Sequence, residues 1–447
     1  MSFLSKYKDV FVIFTSVILY FLFAHFLERT AFYTLVFLWL SLFGCFYYFI
    51  KSNSLSTSTL IGLTVLFRLI FLFSIPNLSQ DFYRFIWDGR MLFEGLNPYL
   101  SLPETFIQQG LHPIAETSNL YNGMGEMNGS HYTNYPPINQ LCFLIAALFA
   151  SKSIFGSIIV LRLIIIFADI GILYFGKKLL ERLNLPTKNI FWYALNPFII
   201  IEMTGNLHFE PVMLFFLVWS LYKLQRHKWI WAAILLACSV SVKLIPLLFL
   251  PLFYQWFVKN EKKTIKGFQK LIGFYLITFA TIIVLFIPFY SSDFIDNYAN
   301  SVGLWFRNFE FNASFYYIFR EIGYLFRGYN EIAIIGKITP FLTILFLLFI
   351  TFFKKGKTIV QLTTLCLFGL CFYYFNSTTI HPWYLATPLI LSIFTKYRFP
   401  IIWTLVIIFS YQAYANNPWK ENLWFVTLEY LTLFSFMIYE IKKKRIG

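Results

Sequence analysis

Charge is what this sequence has least of. Lysine, arginine, aspartate and glutamate make up 13% of its 447 residues, where an ordinary soluble domain carries about 25%. Only 21 residues are acidic against 36 basic, so any carboxylate set in apolar surroundings is costly and needs a reason. Cysteine is also scarce. Cys45, Cys142, Cys238, Cys366 and Cys371 lie mostly in apolar segments, odd in number and without metal-ligand spacing, which argues against a disulfide framework and for packing. There is no Gly-rich phosphate loop, no Gly-x-Ser-x-Gly elbow, no His-Glu-x-x-His pair and no paired cysteine ligands. Internal repeats, low-complexity tracts and a soluble domain are missing too. These absences leave a nucleotide-driven cytoplasmic mechanism without support, and the lack of repeats weighs against a transporter built from them.

What the chain has in quantity is apolar length. Hydrophobic residues reach 58%, mean hydropathy is +0.65, and runs of membrane-spanning length recur from Val10 to Ile441. The expected fold is an all-α integral membrane bundle of about 12–14 transmembrane helices with external juxtamembrane helices. Spans are expected near 9–27, 31–50, 58–76, 157–176, 189–203, 209–224, 228–242, 244–258, 270–289, 336–353, 358–375, 383–396, 398–414 and 423–441. The first is read as a retained helix, since no small-residue cleavage site follows it.

The net charge of +15 suggests nucleic acid until the basic residues are sorted by segment. With the N-terminus inside, the cytoplasmic segments hold 24 of the 36 basic residues but only four acids: Asp9, Glu181, Glu261 and Glu440. This is the positive-inside pattern of a cytoplasmic (inner) membrane protein with both termini cytoplasmic. No nucleic-acid partner is implied. Two long external segments result, about 77–156 and 290–335, with short external turns near 204–208, 376–382 and 415–422. The segment Ile138–Ala150 is too short for a comfortable span, and it is expected to be re-entrant or interfacial on the external side.

Chemistry concentrates in the external segments. Asp81-Phe-Tyr-Arg-Phe-Ile-Trp-Asp-Gly-Arg90 places two carboxylates and two guanidiniums directly after an apolar run, inside a helix expected across Phe82–Phe93. One reading is a general base with phosphate-binding cations; the other is an amphipathic helix with pairs such as Asp81 with Arg84. Asn196-Pro197, Glu202 and Gly205-Asn-Leu-His-Phe-Glu-Pro211 join two short spans, so their turn is expected to face a cavity with Glu202, His208 and Glu210. Lys243 in Lys243-Leu-Ile-Pro246 is either a phosphate partner or a snorkelling lysine. Arg307, Phe311-Asn-Ala-Ser314 and His381-Pro-Trp-Tyr384 fall in other external segments, where aromatic belts account for the Trp and Tyr. Arg162 and Asp169 share a helix face and are expected to fix helix packing, as is Arg68.

The first cluster, with Gly95-Leu-Asn-Pro-Tyr99, resembles the first external loop of bacterial polyprenol-phosphate-sugar-dependent mannosyltransferases of the GT-C superfamily, of the alpha-mannosyltransferase and DUF2029 type. The likeness continues in order through Tyr135-Pro-Pro, Asn196-Pro, Gly205-Asn-Leu-His-Phe-Glu, Lys243-Leu-Ile-Pro, Phe311-Asn-Ala-Ser and His381-Pro-Trp-Tyr. It covers roughly 58–400 of a single membrane domain, leaving two extra N-terminal spans at 1–57 and C-terminal spans at 401–447. The resemblance implies Asp81 as catalytic base. It implies Glu210 at a second acidic position where Asp is commoner, which leaves a divalent-cation role open; no other cofactor is implied.

The expected function is transfer of a hexose, mannose above others, from a polyprenyl-phosphate donor to a lipid, glycan or protein acceptor on the external face, with inversion. Arg84, Arg90, Lys243 and Arg307 are expected on the donor phosphate. Asp88, Glu202, His208, Glu210, His381 and Tyr384 are expected around the substrates. The competing readings are a lipid-linked glycan polymerase or ligase using a diphosphate donor, and a non-enzymatic transporter or flippase of lipid-linked sugars.

Overall fold

A computed structural model of the chain describes residues 3–304 and 309–446. Among the described residues there are helices and no strands; the only strand-like pairing is an isolated bridge between Phe311 and Thr379. The first three helices are α1 (Phe3–Phe26), α2 (Phe32–Lys51) and α3 (Thr57–Ile70). The first long loop holds α4 (Asp81–Phe93), α5 (Pro103–Gln108), α6 (Thr117–Gly129) and α7 (Pro137–Ala150). The core continues with α8 (Ile154–Arg182), α9 (Phe191–Ala194), a π-helix at Ile199–Gly205, α10 (Glu210–Gln225) and α11 (Trp229–Val240). A tight helix at Ile245–Leu252 leads into α12 (Phe253–Val258) and α13 (Thr264–Phe286). The second loop holds α14 (Phe294–Leu304) and α15 (Phe315–Arg327), before α16 (Ile332–Phe353) and α17 (Ile359–Asn376). A 3-10 turn at Pro382–Leu385, α18 (Ala386–Ile393), α19 (Phe399–Val406) and α20 (Leu423–Ile446) complete the chain.

All fourteen apolar segments read from the sequence contain helix, but they are not equivalent. The expected 12–14 transmembrane helices are not reached: among the described residues seven helices are long and apolar enough to cross a membrane, or eight if the bent pair Ile199–Gly205 and Glu210–Gln225 counts as one span. The others, such as Trp229–Val240, Ile245–Val258 and Phe399–Ala415, are shorter apolar helices. Proline explains several of these breaks: Pro246 and Pro251 in the tight helix, Pro382 and Pro400 at helix starts, where a missing N–H is tolerated only near an end or a kink. Such broken helices are stable at membrane depth only when enclosed by protein, and α18 is buried along its whole length.

Charged side chains buried in the bundle act as clamps. Arg162 donates to four backbone carbonyls, those of Leu72, Ser74, Thr204 and Gly205, at 2.7–3.0 Å. It therefore does not pair with Asp169, which lies seven residues and roughly 10 Å further along α8. Asp169 accepts instead from Arg68 Nε at 2.8 Å and from the Tyr193 hydroxyl at 3.0 Å. By holding both the exit of α3 and the end of the π-helix, Arg162 fixes how the segments leading to Asp81 and to His208 approach each other.

The helix α7, at 14 residues about 21 Å long, is shorter than the roughly 30 Å hydrocarbon core. Both of its ends meet residues of the first loop or their neighbours. Pro136, just before it, lines a cavity with Asp81, and Ile154, just after its C-terminal turn, donates its N–H to Glu116. The fit of α4 on α7 requires glycine: a Cβ at Gly89 would lie 2.2 Å from the Phe143 carbonyl oxygen. Phe85 and Phe143 stack there at 4.8 Å with planes 7° apart.

Candidate functional site

A cavity of about 560 Å³ collects residues from nearly every external segment read from the sequence. Its charged and imidazole groups are Arg29, Asp81, Arg84, His131, His208, Glu210, Lys243 and His381. A second cavity, of about 600 Å³, is lined instead by segments read as cytoplasmic, near Arg182, His227, Lys270 and Lys357. Helices α10 and α17 run from one to the other: Glu210 and Ser377 sit at the first, Leu224 and Ile359 at the second. The two groups of segments thus lie at opposite ends of the same helices.

Asp81 is the first residue of α4, where the helix dipole favours an anion. Its backbone N–H donates to the Ser79 hydroxyl at 3.3 Å. Among the described residues its carboxylate enters no ion pair within 4.0 Å. Asp81 is half-buried in the cavity wall, and burial pushes its carboxyl up to about 6, with Glu210 adding to the rise. Lys243, Arg29 and Asn128 oppose that shift without cancelling it.

Lys243 is ion-paired with Glu210 Oε1, and the other Glu210 oxygen is buried without a hydrogen-bond partner. Lysine snorkelling and simple helix capping by Glu210 are thereby replaced by one charge pair at the cavity wall. Arg84 pairs with Asp88 at 2.8 Å rather than with Asp81, and its Nη1 donates to the carbonyls of Asn128 and His131. Its Nη2 is buried and has no partner in the protein.

One wall is a stack of rings. His208 lies 4.0 Å from Trp383, and Trp383 lies 4.4 Å from His381, with planes 20° and 5° apart. Trp383 is therefore part of the site and not a membrane-belt residue. The π-helix break places His208: the two flanking helices bend by 113°, and Leu207 adopts a left-handed φ of 62°, an uncommon and strained conformation outside glycine. Tyr384 also lines the cavity.

Three predicted residues stand elsewhere. Arg90 is buried and donates to Glu116 at 2.9 Å and to the Ala115 carbonyl at 2.6 Å. It does not line the cavity, because nine residues of helix carry it about 13 Å from Asp81. Asp88 lies behind Arg84 and also accepts from Gln140 at 3.0 Å. Glu202 is one layer back, accepting from the Tyr411 hydroxyl at 2.6 Å, with its second oxygen 3.9 Å from His208 Nε2. Arg307 lies outside the described residues. The Gly95–Tyr99 motif acts as a brace: Tyr99 donates to the Tyr135 carbonyl, and Asn97 to that of Phe289 at 3.0 Å.

Sequence reasoning missed Arg29, which lines the cavity, stacks 3.5 Å over Tyr414 and donates to the Leu78 carbonyl. An arginine in an external turn, against the positive-inside trend, was the available signal. Tyr414 and Trp419, also in the wall, gave none. Among the described residues no three His, Cys, Asp or Glu side chains gather as a metal site would need.

An all-α polytopic membrane bundle enclosing a cation-lined cavity, with one carboxylate free of ion pairs, defines the class. Residues 10–259 match the family described as alpha-(1->6)-mannopyranosyltransferase, N-terminal domain, and the chain belongs to this family. The matched segment takes in the two N-terminal spans that the motif resemblance had left outside the core. The chain is also 20% identical, over 217 residues, to alpha-(1->6)-mannopyranosyltransferase A of Mycobacterium tuberculosis. The alignment covers 48% of this chain and 40% of that relative's length.

Proposed function

We propose that this chain transfers a mannosyl group from a polyprenyl-phosphate donor to a hydroxyl of a lipid, glycan or protein acceptor, inverting the anomeric centre, with Asp81 as general base. The observation that carries this reading is the meeting of Asp81 with Arg29, Arg84 and Lys243 in one cavity. The acceptor hydroxyl gives its proton to the Asp81 carboxylate as its oxygen attacks C1. The bond from C1 to the phosphate oxygen breaks, and the polyprenyl phosphate leaves with the electron pair. Such a leaving group needs no general acid; it needs cations, which Lys243, Arg29 and the unpartnered Nη2 of Arg84 supply. A carboxylate near 6 suits the base, since it is ionised at neutral pH and more basic than an ordinary aspartate.

The relative's name supports an alpha linkage to a primary hydroxyl at position 6. A single displacement giving an alpha product requires a beta-linked donor. The ring stack His208–Trp383–His381 and Tyr384 give the cavity a rigid aromatic wall beside which a sugar can lie. The positive-inside pattern supports a site on the external face of the cytoplasmic membrane. The test is transfer of radiolabelled mannose from polyprenyl-phosphate mannose by the purified chain in lipid nanodiscs. Asp81→Asn is expected to retain donor binding and lose about two to four decades of turnover. Near-normal transfer by this variant removes Asp81 from the role, and a chain that uses only a sugar nucleotide sinks the donor assignment.

A further inference from the structure

The second cavity belongs to no part of the proposed reaction. The four segments around it, 177–188, 223–228, 259–270 and 354–357, carry fifteen lysines and arginines and two acids. Most of the chain's net charge of +15 is therefore gathered at one end of the bundle. Arg182, His227, Lys270 and Lys357 reach its wall, between Trp229 and Trp256. Glu261, the one acid among the described wall residues, is already paired with Lys270. The walls are held in place from both sides: Asn260 donates to the Lys357 carbonyl at 2.7 Å, and Thr358 closes a capping box with Gln361 at the start of α17.

The helices that carry this cavity turn apolar side chains outwards elsewhere on their surface. Along α13, Ile265, Phe268, Ile272 and Leu276 are exposed, as are Ile230 and Trp231 at the start of α11. These α13 residues lie on the face of the helix turned away from Lys270, the lipid-facing side of a span. Tryptophan at the rim matches the headgroup level of a bilayer, and basic pockets between helices on the cytoplasmic side suit acidic lipid headgroups. The cavity also lies at the ends of three spans, between Arg182 at the end of α8, Lys270 near the start of α13 and Ile359 at the start of α17, the depth at which a headgroup sits.

We propose that this cavity binds the phosphate headgroup of an anionic phospholipid from the surrounding leaflet. The site is independent of the transfer reaction and of Asp81. The experiment is a titration of the delipidated, purified chain with phosphatidylglycerol or phosphatidylcholine, read by native mass spectrometry, with inorganic phosphate as competitor. Phosphatidylglycerol is expected to bind at least tenfold tighter than phosphatidylcholine. Arg182→Gln with Lys357→Gln should weaken it about 25-fold, near fivefold for each basic residue lost. Lys177→Gln with Lys178→Gln removes equal charge away from the wall and should change little. Equal binding of the two lipids overturns the proposal, and so does an unaffected wall variant or an equally affected control. Displacement by inorganic phosphate at matched concentration would assign a soluble anion instead. Should the wall variant not fold, photoreactive phosphatidylglycerol on the wild-type chain decides the matter. Labelling must include Trp229 or Trp256, and labelling confined elsewhere refutes the site.

Discussion

The pH dependence of transfer isolates the role of Asp81 better than any single substitution. A carboxyl at about 6 is roughly nine-tenths ionised at pH 7 and one-tenth ionised at pH 5, so kcat/KM should fall about tenfold across that interval. An aspartate at the ordinary value of about 3.9 would lose less than a tenth of its ionised form over the same range. The direction follows from the role: a base works only deprotonated, so activity is lost as pH falls and reaches a plateau above about pH 7. Unfolding through this group does not produce the same loss. Its folded value lies above its unfolded one, so the folded state binds the proton more tightly and is stabilised by it as pH drops from 6 towards 4. The assay is initial-rate mannosyl transfer in nanodiscs from pH 4.5 to 8, with recovery of full activity after return to pH 7 as control. A flat profile down to pH 4.5 would refute both the buried setting of Asp81 and its use as the base.

The two groups beside it shift that limb in opposite directions. Lys243 lowers and Glu210 raises the Asp81 value, so Lys243→Met should move the acid limb to higher pH and Glu210→Gln to lower pH; the same profiles read this out. Lys243→Met should also raise the KM for donor more than that for acceptor, measured by titrating each at saturation of the other. Arg90→Ala is expected to leave donor KM unchanged but to destabilise the chain by about 3 kcal/mol, the low end for a broken buried pair, because its partner Glu116 is partly solvated; thermal unfolding checks it. A periplasmic reporter fused after Asn122 should be active and one after Lys263 silent, and the reverse would invert the placement of the site.

The sequence by itself determined the class and the helices. Apolar runs set by bilayer thickness are local, so every expected span from 9–27 to 423–441 contains helix, although among the described residues seven or eight helices have spanning length, and the sorting of basic residues separated two sets of segments that the structure places at opposite ends. Asp81, His208, Glu210, Lys243 and His381, which meet in one cavity, were legible as candidates because charge or imidazole beside an apolar run is conspicuous. Partner choice was not legible. Arg84 turns to Asp88, Arg90 to Glu116 and Asp169 to Arg68, since direction around a helix and the approach of distant helices decide who pairs. Only the tertiary structure made broken helices of segments that read as spans, brought Arg29 and Trp419 to the cavity and aligned Trp383 between two histidines. Hydropathy reports how far a segment can reach, whereas a site depends on where 113° bends, proline breaks and carbonyl clamps such as Arg162 turn the chain.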